Sequence, residues 1–407
     1  MPAHAVDETV TTRATHDRAA AVIAGVASTG SKRPEALYGP GDPPGPTHFR
    51  TARGCSVVGA DGRTYVDCTM ALGAVALGYA DDGVTRRVID AVRDGTVSGW
   101  SPLLEIEVAE RLCEVIPCAE RVRFLKTGAE AVAAALRIAR TATGRSRVIA
   151  CGYFGWLDWS SESPGVPDGA RADCTHVPFG DVGALERAVS DAGSDLAAIV
   201  IEPVIERLPP TVWIEATRAL SRRAGAVLIF DEIKTGFRLR PGGFQEYSGI
   251  VPDLATFGKA IANGFPLAIV AGRADVMAAA TATWISSTLA SETSALAAAA
   301  AVLDRHARED VCAMLGRIGQ EMRSSVLAAM RASGYGGASD AGIDQMWLLR
   351  FADDRALARF VAIGVEEGVL FKRGAYCFPS LMHDAAAIER IGAAARRAFD
   401  SLAGEAS

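Results

Sequence analysis

The sequence of 407 residues lacks the patterns that mark several large classes of protein. None of its eight cysteines forms a Cys-x-x-Cys pair. Redox and metal motifs are therefore not expected. We expect reduced thiols in a cytoplasmic protein instead. The net charge is −6 and no basic block indicates a nucleic-acid partner. No apolar run reaches the roughly 20 residues of a membrane span, so a membrane partner is not expected either.

Lysine is also scarce, although arginine is abundant. The only lysines are Lys32, Lys126, Lys234, Lys259 and Lys372. A reaction that needs a nucleophilic amine therefore has few candidates. Hydrophobic residues make up 49% and charged residues 22% of the chain, as in an ordinary globular protein. The length suggests one large and one smaller domain.

Two strand-like segments end in residues that carry chemistry. Residues 226–230 form an uninterrupted apolar run, which suits a parallel strand buried on both faces, and Asp231 and Glu232 follow it. A second run, 254–257, is followed after one glycine by Lys259. Ligands of open α/β sheets bind beyond the carboxyl ends of strands. An anion and an amine there are the pair that a pyridoxal phosphate enzyme uses, although a capping aspartate and a solvated lysine remain the alternative at this point.

These segments resemble two motifs of the class III pyridoxal 5'-phosphate-dependent aminotransferases, and within that family the glutamate-1-semialdehyde 2,1-aminomutase-like group. The aspartate motif corresponds to Phe230–Arg238 and the lysine motif to Pro252–Lys259. The resemblance implies an α/β protein of fold type I: a large domain with a mostly parallel sheet flanked by helices, plus a small α+β domain. It places the N-terminal segment and part of the small domain in residues 1–80, the large cofactor-binding domain in 81–300 and the C-terminal small domain in 301–407.

A strand, a glycine turn and an Ala-rich helix are predicted over residues 121–140. The first N–H groups of a helix have no partner within the helix, so its N-terminus can bind an anion. The resemblance implies that Thr127, Gly128 and Ala129 at this turn hold the cofactor phosphate. Ala129 stands where the family usually has a hydroxyl residue. A plain strand–helix turn is the alternative.

The resemblance implies four further residues near the cofactor ring. Tyr153 matches the family aromatic that stacks on the ring, while Phe154 replaces the usual histidine. Of these two rings we favour Tyr153, and we expect Ile233 on the opposite face. Glu202 follows another apolar run, 196–201. It is expected close to the site, facing the substrate amine or an arginine, with a structural role as the alternative.

The resemblance also implies that two chains build each site. Thr288 corresponds to the family threonine that reaches the phosphate of the neighbouring subunit's cofactor. A homodimer with shared active sites is therefore expected, and a monomer is expected to be inactive. Ser287 and the segment 291–293 depart from the family pattern, so the local geometry is expected to differ.

The implied chemistry assigns the catalytic roles to Lys259 and Asp231. Lys259 makes the Schiff base and later moves a proton, and Asp231 keeps the ring nitrogen protonated. Transfer from an amino-acid donor to a ketone or aldehyde is expected, in specialised metabolism, with an intramolecular 2,1-aminomutase as the alternative. Residues 41–46 lack the arginine with which the aminomutases bind a substrate carboxylate, which favours a substrate without that group. A protein that binds the cofactor without turnover is a further alternative.

Local patterns predict several other elements. A hairpin is expected around Asp61–Gly62 and helices over 82–94 and 102–115. A short helix is expected from Asp17 to Val26, and the resemblance implies a strand pair within 368–383. Residues 1–14 are polar and expected to be poorly ordered.

Overall fold

The structure is a computed structural model that describes residues 12–406. Most of the segment expected to be poorly ordered, residues 1–11, lies outside the described residues, and residues 12–14 begin a helix. The chain divides into two compact units. One is Asp82–Ala313, and the other combines residues 12–81 with residues 314–406.

The helices and strands follow the predicted α/β composition. The strands are β1 (Phe49–Arg53), β2 (Ser56–Gly59), β3 (Thr64–Asp67), β4 (Arg121–Leu125), β5 (Arg147–Cys151), β6 (Cys174–His176), β7 (Leu196–Ile201), β8 (Val227–Asp231), β9 (Leu254–Phe257), β10 (Ala268–Gly272), β11 (Ala338–Ile343), β12 (Met346–Phe351) and β13 (Val369–Leu370). The α-helices are α1 (Thr12–Val22), α2 (Pro34–Tyr38), α3 (Met70–Gly73), α4 (Asp82–Asp94), α5 (Leu103–Val115), α6 (Gly128–Thr143), α7 (Val182–Ala192), α8 (Thr211–Ala224), α9 (Phe244–Ser248), α10 (Ala274–Met277), α11 (Thr293–Arg308), α12 (Val311–Ser333), α13 (Asp354–Glu366) and α14 (Ala385–Ala406). Short 3-10 helices occur at Gly30–Lys32, Asp168–Arg171, Gly193–Asp195, Lys259–Ala262 and Ala278–Thr281.

The unit Asp82–Ala313 is built on a seven-stranded sheet in the order β4-β10-β9-β8-β7-β5-β6. The strands from β6 to β9 run parallel. Strand β10 is antiparallel to both β4 and β9, which the sequence did not predict. Helices α6, α7 and α8 pack against the sheet. The expectation of a mostly parallel sheet flanked by helices is confirmed.

Apolar burial explains why these segments form the centre of the unit. Every residue of β7 and β8 is buried, as expected for parallel strands covered on both faces. Helix α6 packs its small side chains into the same core, among them Ala131 and Ala135. Small side chains let the helix backbone approach the strands closely, which fixes the position of its N-terminus relative to the sheet.

The other unit contains two smaller sheets. One has the order β1-β2-β3-β13, and β11 pairs with β12 in the second. The predicted hairpin is confirmed: β2 and β3 pair antiparallel on either side of a turn in which Gly62 has φ +79°. Among the helices of residues 12–406, none has both the length and the apolar character needed to cross a membrane.

Two local predictions for this unit were wrong. The first helix ends at Val22 and not at Val26, because the chain turns at Gly25 and Val26, which both have positive φ. The strand pair within 368–383 reduces to β13 and an isolated bridge at Cys377. A glycine at 374 with φ +62° interrupts any longer strand there.

Candidate active site

Three neighbouring parallel strands end at one edge of the large sheet. Strand β8 pairs with β7 on one side and with β9 on the other. Glu202 follows β7, Asp231 is the last residue of β8, and Lys259 lies two residues beyond β9. Because the carboxyl ends of parallel strands lie at the same edge, the fold brings two carboxylates and an amine to one place.

Asp231 is buried and held by two hydrogen bonds. The backbone N–H of Ile233 and the hydroxyl of Thr256 both donate to its Oδ1, at 3.0 and 3.2 Å. Burial raises the pKa of Asp231 above its ordinary value, and the charge of Glu202 acts in the same direction. An additional cationic N–H donor would therefore stabilise the charged form of the Asp231 carboxyl.

Lys259 begins a 3-10 helix in an unusual backbone conformation. Its φ is +49°, in the left-handed region, which costs an L-residue about 1–2 kcal/mol. Burial lowers the pKa of its amine, and the positive charge of Lys234 lowers it further, while Asp231 and Glu202 act in the opposite direction. The net shift favours a neutral, nucleophilic amine.

Glu202 forms an ion pair that the sequence did not predict. Its Oε1 lies 2.9 Å from Nζ of Lys234, and the two side chains are only 9% and 14% exposed. Its Oε2 accepts a hydrogen bond of 2.8 Å from the backbone N–H of Tyr153. A Cβ at Gly152 would lie 2.7 Å from Cγ of Glu202, so this close approach requires glycine. Within the protein, Glu202 thus pairs with a lysine and not with the arginine considered above, and it binds the backbone, as the structural alternative implied.

Glu232, the neighbour of Asp231, has a different environment. It accepts hydrogen bonds from the N–H groups of Phe244 and Gln245 at 2.7 and 2.9 Å, and also from the hydroxyl of Thr235. Burial raises the pKa of Glu232 to about 7. With these donors at the start of α9, the Glu232 carboxylate holds the turn after β8 in place.

The predicted phosphate loop lies at the N-terminus of α6. Thr127 caps this helix: its hydroxyl accepts from the N–H of Glu130 at 3.3 Å, and the Glu130 carboxylate accepts from the N–H of Thr127 at 2.9 Å. The N–H groups of Gly128 and Ala129 belong to the first turn, where the helix offers them no acceptor. Such N–H groups can bind an anion at this helix end.

Ile233 connects this loop with the segment before Lys259. A Cβ at Gly128 would lie 2.6 Å from Cδ1 of Ile233, and one at Gly258 would lie 3.6 Å from its Cγ1. The side chain of Ile233 therefore packs directly on the backbone of the loop and beside that of Gly258. This packing fixes the distance between the helix N-terminus and Lys259.

The two aromatic candidates lie in different environments. Phe154 is buried in the core of the unit, and its ring packs against Trp159 with 5.5 Å between centroids. The side chain of Tyr153 is 72% exposed. A Cβ at Gly155 would lie 2.5 Å from Cβ of Ala129, so the segment that carries both rings packs against the phosphate loop. Tyr153 is the ring that is available to a ligand.

Thr288 is exposed in a turn that is attached to the phosphate loop. Lys126, immediately before Thr127, pairs with Glu292 at 2.9 Å, and the side chains are 14% and 13% exposed. Glu292 also caps α11 by accepting from the N–H of Ser294 at 2.9 Å. The turn with Thr288 therefore has a fixed position near the N-terminus of α6.

Sequence reasoning overlooked Lys126, Lys234, Thr256 and Glu292. For Lys234 a signal was available, since it is one of five lysines and lies inside the aspartate motif. Its pairing with Glu202 depends on β7 and β8 being neighbours in the sheet, which the sequence order does not specify. Thr256 carried no distinguishing signal, and Glu292 was noted only as part of the segment 291–293 that departs from the family pattern.

The geometry of this unit agrees with what comparison finds. The model of the family described as aminotransferase class-III matches residues 38–391, and the chain belongs to that family. Class III aminotransferases are pyridoxal phosphate-dependent enzymes with the fold type I architecture described above.

Individual relatives are similar at moderate identity. Glutamate-1-semialdehyde 2,1-aminomutase of Methanothermobacter thermautotrophicus is 38% identical over 251 residues, which cover 58% of this chain and 60% of that protein. Among solved structures, the pyridoxal phosphate internal aldimine form of the FumI protein of Sphingopyxis sp. MTA144 has 25% identity and a TM-score of 0.92, covering 97% of each chain. An omega-transaminase from Sphaerobacter thermophilus, 24% identical with a TM-score of 0.87, covers 97% of this chain and 98% of that one. At this identity the last comparison shows the fold alone. The matched segment spans about three fifths of the length of the curated relative.

Proposed function

We propose that this chain is a pyridoxal phosphate-dependent aminotransferase that moves an amino group from an amino-acid donor to a ketone or aldehyde acceptor. Family membership supports the reaction type. The observation that carries the proposal is that a buried Asp231 and a partly buried Lys259 lie at the carboxyl edge of one sheet, where the charge of each affects the pKa of the other.

The residues fit pyridoxal phosphate on chemical grounds. A carboxyl with a raised pKa, Asp231, gains from a protonated ring nitrogen. An amine with a lowered pKa, Lys259, suits attack on an aldehyde. The helix end at Gly128 and Ala129 suits a phosphate dianion. We therefore assign these four residues to the cofactor, together with Thr127, Tyr153 and Ile233 around it.

The catalytic roles follow from these assignments. Bound pyridoxal phosphate supplies an aldehyde that captures an amine and a ring that withdraws electrons from its Cα. The Lys259 amine takes the proton from the substrate Cα, which requires the neutral form that burial favours. Asp231 holds a proton on the ring nitrogen. Tyr153 and Ile233 orient the ring, and Glu202 fixes the backbone of Tyr153.

An intramolecular 2,1-aminomutase is the alternative, because curated relatives carry that name. Against it, residues 41–46 contain no arginine for the substrate carboxylate. We therefore infer an acceptor without that carboxylate, such as an amino-sugar precursor or a carbonyl of specialised metabolism. Strong turnover of glutamate 1-semialdehyde by the purified protein would overturn this inference.

We further propose a homodimer in which Thr288 serves the partner's site. Exposed apolar side chains surround its turn, including Trp284 and Leu289, and Trp100 and Leu103 are exposed in the same unit. A monomer would leave these surfaces in water.

We also propose a cytoplasmic location, since the eight cysteines are unpaired thiols, which suits a reducing compartment.

Visible absorbance of the purified protein tests the enzymatic proposal. We expect wild type loaded with pyridoxal phosphate to be yellow, and one amino donor of a panel to bleach it. Lys259→Ala should lack the band, and Lys32→Ala, which removes an exposed lysine, should keep it. A colourless wild type that the cofactor does not reconstitute would sink the proposal.

Isotopically labelled nitrogen separates the two reaction types. An aminotransferase places the label of the donor in the product, whereas an aminomutase retains the nitrogen of its own substrate.

Mixing Lys259→Ala with Thr288→Ala tests the shared site, because mixed dimers then contain one complete site. Random mixing should restore roughly a quarter of the activity, and no recovery despite mixed dimers would contradict the role of Thr288.

A further inference from the structure

The proposed function gives Glu202 a role at the backbone of Tyr153 but gives none to Lys234, its partner in the ion pair. The ion pair lies beside the reactive residues, since Lys234 is three residues beyond Asp231 and Glu202 follows the neighbouring strand. Partly buried ion pairs contribute little net stability, because desolvation offsets their attraction. Stability alone is therefore a weak reason for placing two more charges at this edge.

We propose that Lys234 is a positioning residue whose ammonium group holds the Glu202 carboxylate against the backbone of Tyr153. The same group places a positive charge beside Lys259 and Asp231. This inference rests on the proposed function. One oxygen of Glu202 contacts Lys234 at 2.9 Å and the other accepts from the N–H of Tyr153 at 2.8 Å. The carboxylate therefore links the segment after β8 to the segment after β5.

The second consequence is electrostatic. The charges that act on Lys259 are Asp231 from β8, Glu202 after β7, and Lys234 and Arg238 from the turn after β8. Lys234 and Arg238 lower the pKa of the Lys259 amine, and the two carboxylates raise it. Removing Lys234 should therefore make Lys259 more basic, while removing the charge of Glu202 should make it less basic.

The experiment measures how fast cofactor-free protein takes up pyridoxal phosphate as a function of pH, followed by visible absorbance. The rate should rise with pH until Lys259 is neutral. The pH at which the rate stops rising is called the break. We expect the break to move up by about 1 pH unit in Lys234→Met and down by about 1 pH unit in Glu202→Gln. Lys234→Arg keeps the charge and should titrate like wild type. Lys234→Met should also release bound cofactor several-fold faster, because the Tyr153 backbone loses its anchor.

A second ion pair of the same length provides a matched control. Lys126 and Glu292 are also 2.9 Å apart and similarly buried, and Lys126 is not among the charges with the largest effect on Lys259. Lys126→Met should therefore leave the break unchanged, even where uptake slows at every pH. Shifts of Lys234→Met and Glu202→Gln in the same direction, or no shift in either, would overturn the inference.

The design also covers a variant that does not fold. If Lys234→Met is unstable, Glu202→Gln alone decides, since an unchanged break contradicts the proposal. The double variant Lys234→Met with Glu202→Gln has no unpaired charge and should titrate close to wild type. Wild-type protein that takes up no pyridoxal phosphate at any pH would overturn the proposed function itself, and this inference with it.

Discussion

Asp231 and Asp253 are two aspartates of one sheet, each 5% exposed, at opposite ends of neighbouring strands. Asp253 precedes β9 and is saturated with donors: Arg218 binds both its oxygens at 2.8 and 3.1 Å, and Arg273 binds at 3.0 Å. The N–H of Leu228 donates a further bond of 2.8 Å. Burial acts to raise the pKa of Asp253, but these hydrogen bonds outweigh it and the pKa lies below its ordinary value.

Asp231 has the same burial and the opposite shift. Only the N–H of Ile233 and the hydroxyl of Thr256 donate to it, and no arginine does, among the hydrogen bonds of residues 12–406. Burial therefore dominates and raises its pKa. The comparison teaches that burial of a carboxylate does not indicate function by itself. The carboxylate with few donors lies at the end of the sheet where we propose that the ligand binds.

The largest effect should come from the amine at the Asp231 end. Lys259→Ala should lower amino transfer about 10³-fold or more, because both the attachment of the cofactor and the base for the proton at Cα are lost. Steady-state assays with the amino donor that bleaches the loaded wild-type protein measure it. A loss of less than tenfold would show that another group supplies the base.

Removing the other carboxylate should affect stability instead. Asp253→Asn leaves Arg218 largely buried without its charge partner, so we expect the free energy of unfolding to fall by about 3 kcal/mol. Chemical denaturation measures this, and the activity of the folded fraction should change little. Asp275→Asn is the matched control: its pair with Arg273 is exposed, and the expected loss is below about 0.5 kcal/mol. Equal losses in both variants would contradict the comparison.

Asp231→Asn should show the reverse pattern. The rate of amino transfer should fall about 10²-fold, since a neutral amide does not keep the ring nitrogen protonated. The stability of the cofactor-free protein near pH 8 should not fall, because the substitution removes a charge that lacks donors. Parallel kinetic and denaturation measurements decide. Strong destabilisation with unchanged kinetics would assign Asp231 a structural role like that of Asp253.

The smallest effect is a difference in pH dependence. A carboxyl with a raised folded pKa contributes stability below its unfolded pKa near 4 and loses it as pH rises through the folded value, which for Glu232 is about 7. Asp231 acts in the same direction. The cofactor-free protein should therefore lose stability between about pH 4 and pH 7, and less steeply in Asp231→Asn.

The opposite aspartate gives the opposite slope. The lowered pKa of Asp253 means that its contribution is present above its unfolded pKa and is lost as pH falls through the folded value. Asp253→Asn should therefore approach wild-type stability in acid. Urea unfolding midpoints between about pH 4 and pH 7 test the first slope, and midpoints below about pH 4 test the second. Slopes of the same sign would contradict the assigned shifts.

The environment of Asp231 could be predicted from the sequence better than that of Asp253. The apolar run before Asp231 identified β8 and the edge where its charge lies, because an uninterrupted buried strand has a distinct pattern. The function of Asp253 as an arginine-bound anchor was not visible, since its partners lie on α8 and after β10, far away in sequence. The antiparallel direction of β10 could not be predicted either, because it depends on how the short connection between β9 and β10 turns.

The same reasoning explains what could be predicted of the candidate site. Lys259, Gly128 and Tyr153 lie in local patterns or motifs, so they could be proposed before any fold was known. The partner of Glu202 required knowledge of strand order. The burial of Phe154 required knowledge of which side of the segment faces the core, and two adjacent aromatic residues do not reveal that.

The most direct test of the account is to locate the lysine that binds the cofactor. Loaded wild-type protein is reduced with borohydride and digested, and mass spectrometry identifies the peptide that carries the pyridoxyl group. We predict the label on Lys259. Label on Lys234, which lies at the same edge of the sheet, or on no lysine at all, would contradict the assignment on which the proposed chemistry depends.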